Sequence, residues 1–446
     1  MGFALYCRLW HFFQGKNVVS EHIFLGKNVS GRFILVSGIL YSQNIHCLRT
    51  IAPPYCASSI QQHRNHALTK ILMKSTLAAA LALGLAAQAE VSLSPMKGTK
   101  TMQLSQEWDK IFPQSDKVEH HKVLFKNRYG ITLAGDLYVP KDIKDGAKLP
   151  AIAVAGAFGA VKEQSNGLYA QTLAERGFVT LAFDPSYLGE SGGEPRNMAS
   201  PDINTEDFSA AVDYLGLQNF VNRDEIGILG ICGWGGMALN AAVNDTRIKA
   251  VATSTMYDMT RVMANGYEIN MKQNAQGGYD RAQPQMDAAA RDKLKEQLNN
   301  NRWEGAQNGY ATLAPANNLD PEKDITADTP KFIAEYAEFY RSKRGFHPRA
   351  VNSNPQGSWA NTVLLAFINM PILQRAAELK APALLVHGEN AHSRYFSEDA
   401  FKSLGSEDKE LFIVKGASHT DLYDNTAGKI PFNKFEEFFK KHLQQR

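Results

Sequence analysis

Cysteine is scarce in this chain and unevenly placed. Four cysteines occur among 446 residues, and three of them (Cys7, Cys47 and Cys56) precede Met73. A chain that began at Met73 would hold Cys232 alone and could form no disulfide within itself. A lone thiol in an oxidising compartment is either buried or used in chemistry. Cys232 is therefore a candidate nucleophile, and the alternative is a small apolar residue at the end of a core strand.

Long apolar runs, internal repeats and a strong net charge are also missing. No stretch reaches the roughly 18 consecutive apolar residues of a spanning helix, so we expect no membrane span in the mature chain. The net charge of +3 and the 21% of charged residues are ordinary for a globular protein and give no indication of nucleic acid binding. His387 and His392 lack the Glu-flanked helical spacing of a zinc site, so we expect no metal. No phosphate-cradling loop follows a strand, and no cofactor is predicted.

Residues 73–89 have the features of a secretory signal peptide. A lysine precedes an Ala/Leu-rich apolar core, and Ala87-Gln88-Ala89 forms a small-x-small cleavage site. The alternative is a short helix at a domain edge. Because a signal peptide belongs at the start of a chain, we predict that Met73 is the initiator and that residues 1–72 are a misassigned extension, with a genuine N-terminal arm as the alternative. The mature protein is then expected in the periplasm or outside the cell.

Strand and helix patterns alternate along most of the remaining chain. The runs that predict strands are 121–129, 131–139, 150–156, 178–184, 226–231, 248–254, 383–389 and one that begins at Leu411. The first two indicate an antiparallel pair, and helical patterns separate several of the others. Repeated strand–helix units predict an α/β fold with a mostly parallel sheet covered by helices on both faces.

A glycine-rich turn follows the predicted strand at 226–231 and precedes an Ala-rich helix. It reads Gly230-Ile-Cys-Gly-Trp-Gly-Gly236, with Cys232 as its third residue. This layout is that of the nucleophile elbow, usually written G-x-S-x-G. On these residues the chain resembles the α/β-hydrolase superfamily, and its cysteine is similar to that of the dienelactone-hydrolase-like branch. The resemblance covers most of 120–258 and 375–445 and implies that Cys232 is the nucleophile.

Trp234 departs from the family pattern. The family has glycine two residues after the nucleophile so that strand and helix can pack closely, whereas here glycines follow only at 235 and 236. We predict that an extra residue bulges the turn and that the indole of Trp234 points into the substrate pocket beside Cys232. The alternative is a nucleophile position that performs no chemistry.

The resemblance also implies partners for Cys232. His419 follows the last strand in Gly-Ala-Ser-His, where hydrolases of this fold carry their general base. The usual aspartate follows the penultimate strand, but Ala391 occupies that position. Asp258, after the strand that follows the elbow, is the predicted acid, while Glu389 and a dyad without any acid remain open.

Backbone amides complete the predicted site. The amide of Gly233 and an amide from the loop at Ala157 or Phe158 are expected to stabilise the tetrahedral oxyanion. Between core segments at 90–258 and 371–446, residues 259–370 have a different composition. They include a charged, Asn- and Gln-rich helical region and an aromatic stripe at helical spacing. We predict that they form a helical lid.

Together these residues predict hydrolysis of a small ester or lactone through Cys232 and His419. The partner is a small-molecule substrate, and the sequence makes no prediction of oligomeric state. The alternative is a protein of the same fold that binds a small molecule without turnover, which the departures at Trp234 and Ala391 favour. Rapid alkylation of Cys232 near neutral pH would favour the enzyme.

Overall fold

The computed structural model describes residues 91–444 apart from 145 and 317. The predicted extension at 1–72 and the predicted signal peptide at 73–89 lie outside these residues. The described chain forms one sheet, whose strands are β1 (Val118–Lys126), β2 (Thr132–Pro140), β3 (Leu149–Ala155), β4 (Val179–Phe183), β5 (Val221–Ile231), β6 (Ala250–Ser254), β7 (Ala383–Gly388) and β8 (Lys409–Val414).

The strand order is β1-β2-β4-β3-β5-β6-β7-β8. β1 and β2 form the predicted antiparallel pair, β2 is also antiparallel to β4, and every later pair is parallel. The central strands are apolar because helices cover both of their faces. The predicted mostly parallel α/β sheet is confirmed. β5 begins earlier than predicted because Val221 already pairs with Leu149, before a register shift.

Helices fill the connections. They are α1 (Ser165–Ala174), α2 (Pro201–Leu217), α3 (Gly233–Asn244), α4 (Met259–Asn265), α5 (Ala288–Asn308), α6 (Lys331–Arg341), α7 (Leu364–Ile368), α8 (Arg394–Ser403) and α9 (Phe432–Leu443). Helices α4 to α7 lie in the interval 259–370, for which the sequence predicts a lid. Across the described ranges, no helix combines the length and apolarity that crossing a bilayer requires.

The carboxyl edge of the sheet positions the candidate site. Parallel strands end at the same edge, so the residues that follow them meet there. Phe158 comes after β3, Cys232 directly after β5, Thr255 directly after β6 and His419 after β8. Helix α6 covers this edge with the aromatic stripe predicted from its sequence, of which Tyr336 is 5% exposed.

Candidate active site

Cys232 occupies a tight turn between β5 and α3. Its φ of 55° and ψ of −124° are strained for a residue with a side chain, and such strain is typical of functional sites. β5 ends at Ile231 and α3 begins at Gly233, so the turn holds no extra residue and the predicted bulge is wrong. The close contacts come from glycines: a Cβ at Gly230 would lie 2.3 Å from the Trp234 carbonyl oxygen, and one at Gly235 would lie 2.3 Å from Met256 Cβ.

The predicted position of Trp234 in the substrate pocket is also wrong. Its indole is 1% exposed and packs edge-on against Phe183 of β4 and Phe208 of α2, with ring centroids 6.5 and 6.0 Å away. Trp234 is absent from the residues that line the cavity at Cys232. The physical reason is that the first turn of α3 directs this side chain towards α2, where apolar burial stabilises it.

Backbone amides surround the buried thiol. Cys232 is 4% exposed, and the N–H groups of Phe158 and Gly233 and the hydroxyls of Tyr423 and Tyr336 are close enough to lower the pKa of its thiol. Burial raises the pKa of the Cys232 thiol to about 11 in spite of these donors. The thiol is therefore neutral at rest.

The structure places two of the three predicted oxyanion residues beside the sulfur. The amides of Phe158 and Gly233 come from the loop after β3 and from the first residue of α3, where helix N–H groups have no partner within the helix. Ala157 is not among the donors to the sulfur, and its carbonyl oxygen instead accepts from Ala160 N at 3.0 Å.

His419 lies behind Tyr423. Its Nε2 is 2.9 Å from the Tyr423 hydroxyl, and Tyr423 lines the cavity beside Cys232. Its Nδ1 is 2.8 Å from Thr255 Oγ1 and 2.5 Å from Ser393 Oγ. Burial, with smaller contributions from His392 and another nearby histidine, lowers the pKa of His419 well below its ordinary value. The imidazole is therefore neutral and linked to the thiol through a phenol.

Asp258, the predicted acid, lies elsewhere. Its carboxylate caps α4, accepting from Arg261 N at 3.0 Å and from Thr260 Oγ1 at 2.6 Å. An aspartate before the first helical residue satisfies the free amides of that turn, which explains its position. Glu389, the other candidate, accepts from Gly416 N at 2.8 Å. Within the described chain the ring nitrogens of His419 bond to hydroxyls and to no carboxylate.

A second histidine extends the network behind His419. His387 of β7 is fully buried, with Nε2 2.9 Å from Ser393 Oγ and Nδ1 2.7 Å from Ser397 Oγ. Burial, with a smaller contribution from Arg394, lowers the pKa of His387 to about 3. We use the name neutral chain for the linked groups Tyr423, His419, Ser393, His387 and Ser397.

Sequence reasoning identified only one member of the neutral chain as functional, His419. A signal for the others existed in part, because the loss of the usual aspartate at Ala391 pointed to a different partner for the imidazole. Ser393, two residues further on, supplies that partner together with Thr255.

Tyrosines line the cavity at Cys232. It has a volume of about 20 Å³ and receives five phenol side chains, those of Tyr257, Tyr267, Tyr336, Tyr340 and Tyr423. Its other lining residues are apolar apart from Cys232 and Asn352, and none of those described is charged. Such a volume holds about one water molecule, so binding of a substrate requires the lining side chains to move. In the part of the chain that the structure describes, no set of three or more His, Cys, Asp or Glu residues is arranged to hold a metal ion.

A charged network supports the loop that carries Phe158. We call it the buried ion cluster; it comprises Lys110, Lys122, Lys162, Arg349, Asp109, Asp136, Glu163, Asp184 and Glu190. Lys162 is fully buried, with Nζ 2.7 Å from Glu163, 2.9 Å from Asp184 and 2.6 Å from Glu190. Burial alone would raise the pKa of Glu163, but Lys162 lowers it to about 2.

The ion cluster also connects the loop to the helical insertion. Arg349 lies 2.9 Å from Glu163 and 2.7 Å from Asp109. Asn352, three residues later, donates to the carbonyl oxygen of Phe158 at 2.6 Å. The loop is therefore held both from the sheet side and from the insertion.

Comparisons with known proteins agree with this fold. An uncharacterized protein of Pseudomonas aeruginosa is 56% identical over 345 residues, which are 77% of this chain and 86% of that protein. Its crystal structure superimposes with a TM-score of 0.70 and covers 77% of this chain and all of its own. A thiohydrolase of Aspergillus aculeatus, aneE, is 32% identical over 137 residues, which are 31% of this chain and 42% of that protein.

A third relative is the polyketide transferase grgF of a Penicillium species. It is 28% identical over 334 residues, which are 74% of this chain and 97% of that protein. Its crystal structure, described as an α/β hydrolase, has a TM-score of 0.55 at 22% identity and covers 73% of this chain and 99% of its own. The predicted α/β-hydrolase fold is confirmed, whereas the likeness to the dienelactone-hydrolase-like branch stays a prediction.

The family model described as X-Pro dipeptidyl-peptidase (S15 family) matches residues 129–421. This interval contains the turn at Cys232, Lys162 of the buried ion cluster, and His419. Since the match extends over most of the chain, the protein belongs to the S15 family of α/β-fold hydrolases.

Proposed function

We propose that the protein transfers an uncharged acyl group from a small ester, lactone or thioester to water through an acyl intermediate on Cys232. The observation that carries this proposal is the meeting of two backbone N–H groups and a phenol–imidazole pair at one strained cysteine. A nucleophile with an adjacent base and an oxyanion hole is the arrangement that acyl transfer requires.

The reaction begins from a neutral thiol. The substrate carbonyl oxygen takes the hydrogen bonds of the Phe158 and Gly233 amides as the thiol proton passes through the Tyr423 hydroxyl to Nε2 of His419. Sulfur attacks the carbonyl carbon, and the oxyanion forms against the two amides. The intermediate collapses, the bond to the leaving oxygen or sulfur breaks, and the leaving group takes the proton back from His419. Water, activated by the same imidazole, then releases the acid from Cys232.

The cavity favours an uncharged acyl group. Burying a charge without a partner is costly, and the lining offers no charged side chain to pair with one. A dipeptidyl-peptidase acts at a free N-terminal ammonium group, which a buried site would hold with a carboxylate. The activity in the family's name is therefore not the one we propose for this chain.

A thioester is among the candidate bonds for two reasons. A cysteine nucleophile replaces one thioester by another, so the acyl enzyme is close in energy to such a substrate. Two of the relatives are described as a thiohydrolase and a polyketide transferase, both of which are acyl-transfer activities. The second description also supports an acceptor other than water.

Binding without turnover is the second candidate function. It is favoured by the enclosure of Cys232 and by the burial of Trp234 away from the cavity. Slow alkylation of the thiol does not separate the two candidates, because a pKa of about 11 makes the resting thiol unreactive in either case. We favour the enzyme because a binding protein has no need of a strained turn that points a thiol at two amides.

Export remains part of the proposal. Its support is the signal-peptide pattern at 73–89, and the expected mature chain starts near Glu90. Mass spectrometry of the secreted or periplasmic protein tests it, since an intact peptide from Met1 in that fraction would contradict it.

Turnover of a matched substrate panel tests the proposed function. Short-chain p-nitrophenyl esters, lactones and N-acetylcysteamine thioesters should be hydrolysed by the wild type and not by Cys232→Ala. The Cys232→Ser variant serves as the control, because it keeps the turn and the cavity while removing the thiol. Equal rates for all three proteins would contradict the proposal, and saturable binding of a substrate without turnover would establish the second candidate.

A further inference from the structure

The neutral chain contains a buried histidine for which the mechanism has no use. His387 does not line the cavity, yet both of its ring nitrogens bond to fully buried serine hydroxyls, Ser393 and Ser397, and its Nε2 also lies 3.4 Å from Thr255 Oγ1. Apolar residues at these three positions would avoid the cost of burying polar groups. The arrangement of the three side chains therefore needs an explanation.

The number of protons that these imidazoles and hydroxyls can donate explains the arrangement. A neutral imidazole has one N–H and one lone pair, and a hydroxyl has one proton to donate. To act as a base towards Tyr423, His419 must have its lone pair on Nε2 and its proton on Nδ1. That proton is donated to a hydroxyl oxygen, Ser393 Oγ at 2.5 Å or Thr255 Oγ1 at 2.8 Å.

The direction of the Ser393 hydroxyl then determines the tautomer of His387. When its oxygen accepts from His419, its own proton is donated to His387 Nε2, 2.9 Å away. His387 in turn carries its proton on Nδ1 and donates it to Ser397 Oγ at 2.7 Å. In the opposite direction, a proton on Nε2 of His387 is donated to Ser393 Oγ, and the Ser393 proton turns towards Nδ1 of His419. This orientation favours the tautomer of His419 that has no lone pair facing Tyr423.

We propose that His387 is a positioning residue that selects the catalytic tautomer of His419 through the Ser393 hydroxyl, in the place of the carboxylate of a triad. The inference rests on the proposed function, because the tautomer matters only if His419 is the base. His387 acts through another residue and touches no substrate. Its task is the one that a triad carboxylate performs by orienting the imidazole, without supplying a charge.

Two variants of His387 separate positioning from packing. In His387→Gln, the side-chain amide oxygen can accept from Ser393, so kcat should stay within about threefold of the wild type. His387→Leu has no acceptor, and kcat should fall about a hundredfold with KM unchanged. A wrong tautomer costs up to about 10⁴-fold in a serine protease, and Thr255 moderates the loss here. His121→Gln, on the partly exposed face of β1, is the matched control and should change nothing.

A tautomer measurement makes the test independent of turnover. In the full chain labelled with ¹⁵N-histidine, the ¹⁵N shifts of His419 should indicate a lone pair on Nε2 in the wild type and in His387→Gln. In His387→Leu they should move towards a mixture of tautomers. Ser393→Ala removes the shorter link between the two rings and leaves His387 in place, while Thr255 Oγ1 stays 3.4 Å from His387 Nε2. It should also move His419 towards a mixture of tautomers, and it covers the case in which the leucine variant does not fold.

The outcomes separate this inference from the proposed function. A His419 tautomer that is unchanged in both His387→Leu and Ser393→Ala overturns the positioning role, whatever the activity. A mixture of tautomers in these variants supports the positioning role even if the wild type hydrolyses no substrate, in which case only the proposed function fails. Equal loss of kcat in His387→Gln and His387→Leu, with the tautomer intact in both, also overturns the inference.

Discussion

The two regions that support the Cys232 thiol differ in charge. Behind the Phe158 amide, the buried ion cluster combines four basic and five acidic side chains. Behind His419, the neutral chain consists of hydroxyls and two imidazoles whose pKa values are lowered by burial. The oxyanion donors must stay in one place through the reaction, whereas the imidazole must gain and lose a proton in each cycle. Fixed charges can hold the oxyanion donors in one place. Hydroxyl groups can reverse the direction of their hydrogen bonds as the imidazole gains and loses a proton.

The energetics of the two regions differ in the same way. Removing one partner from a buried ion pair leaves an uncompensated charge, which costs about 3–5 kcal/mol. A neutral hydrogen bond contributes only about 0.5–1.5 kcal/mol net to stability. Damage to the ion cluster should therefore appear mainly in folding stability, and damage to the neutral chain mainly in turnover.

The largest expected effect comes from breaking the ion cluster at its centre. Lys162→Met leaves Asp184, Glu163 and Glu190 without their buried cation and should lower the free energy of unfolding by about 3–5 kcal/mol. Urea unfolding measures this change in the free energy of unfolding. The control is Lys441→Met, whose exposed pair with Asp408 should contribute about 0–1 kcal/mol. Similar losses in the two variants would contradict the contrast between the regions.

The second largest expected effect is the loss of turnover when His419, the catalytic member of the neutral chain, is removed. His419→Ala should lower kcat by at least about a hundredfold, which corresponds to about 2.7 kcal/mol, because the base is lost. Its stability should change far less than that of Lys162→Met. If the variant retained full activity against every hydrolysed substrate, His419 would have no place in the mechanism.

The dependence of stability on pH also distinguishes the two regions. The pKa of His387 is lowered to about 3 in the folded protein, so below its ordinary value near 6.5 the unfolded chain binds a proton that the folded chain does not. Stability therefore falls as the pH falls. Between pH 6 and pH 4 the wild type should lose about 2.5 kcal/mol more than His387→Gln, which has no such site. Glu163 loses its contribution only below about pH 4.5, because its pKa is lowered to about 2. Parallel curves for the two proteins would show that His387 is protonated in the fold.

The smallest expected effect lies outside both regions. Asp258→Asn should leave kcat within about threefold of the wild type and change stability by less than about 0.5 kcal/mol, because an asparagine oxygen caps α4 about as well as the carboxylate. Glu389→Gln, whose carboxylate accepts from the Gly416 amide, is the matched control and should also preserve kcat. Loss of turnover in the Asp258 variant alone would restore that residue as the acid.

The sequence predicted the parts of this site that depend on local pattern. Strand–helix alternation predicted the sheet, and the glycine-rich turn predicted the place of Cys232 and Gly233 at its edge. His419 was found because its position after the last strand follows from chain order. These features are encoded in contiguous residues.

The rest depends on contacts between distant residues. The direction of Trp234 is set by Phe208, a residue of α2 that no local pattern links to it. Ser393 and Thr255 are ordinary hydroxyl residues, and only the fold brings both to Nδ1 of His419. Asp258 carried a local signal, since aspartate before a helix is a common cap, but its carboxylate also matched the family's need for an acid.

The most direct test of the central claim is the mass of the protein trapped during turnover. The full chain should be mixed with an excess of p-nitrophenyl butyrate, quenched in acid within the first turnover and examined as intact protein and as peptides. We predict one butyryl group per chain, located on the peptide that contains Cys232 and absent from Cys232→Ala. Hydrolysis without an adduct on that peptide, or an adduct that persists in Cys232→Ala, would contradict a mechanism through this thiol.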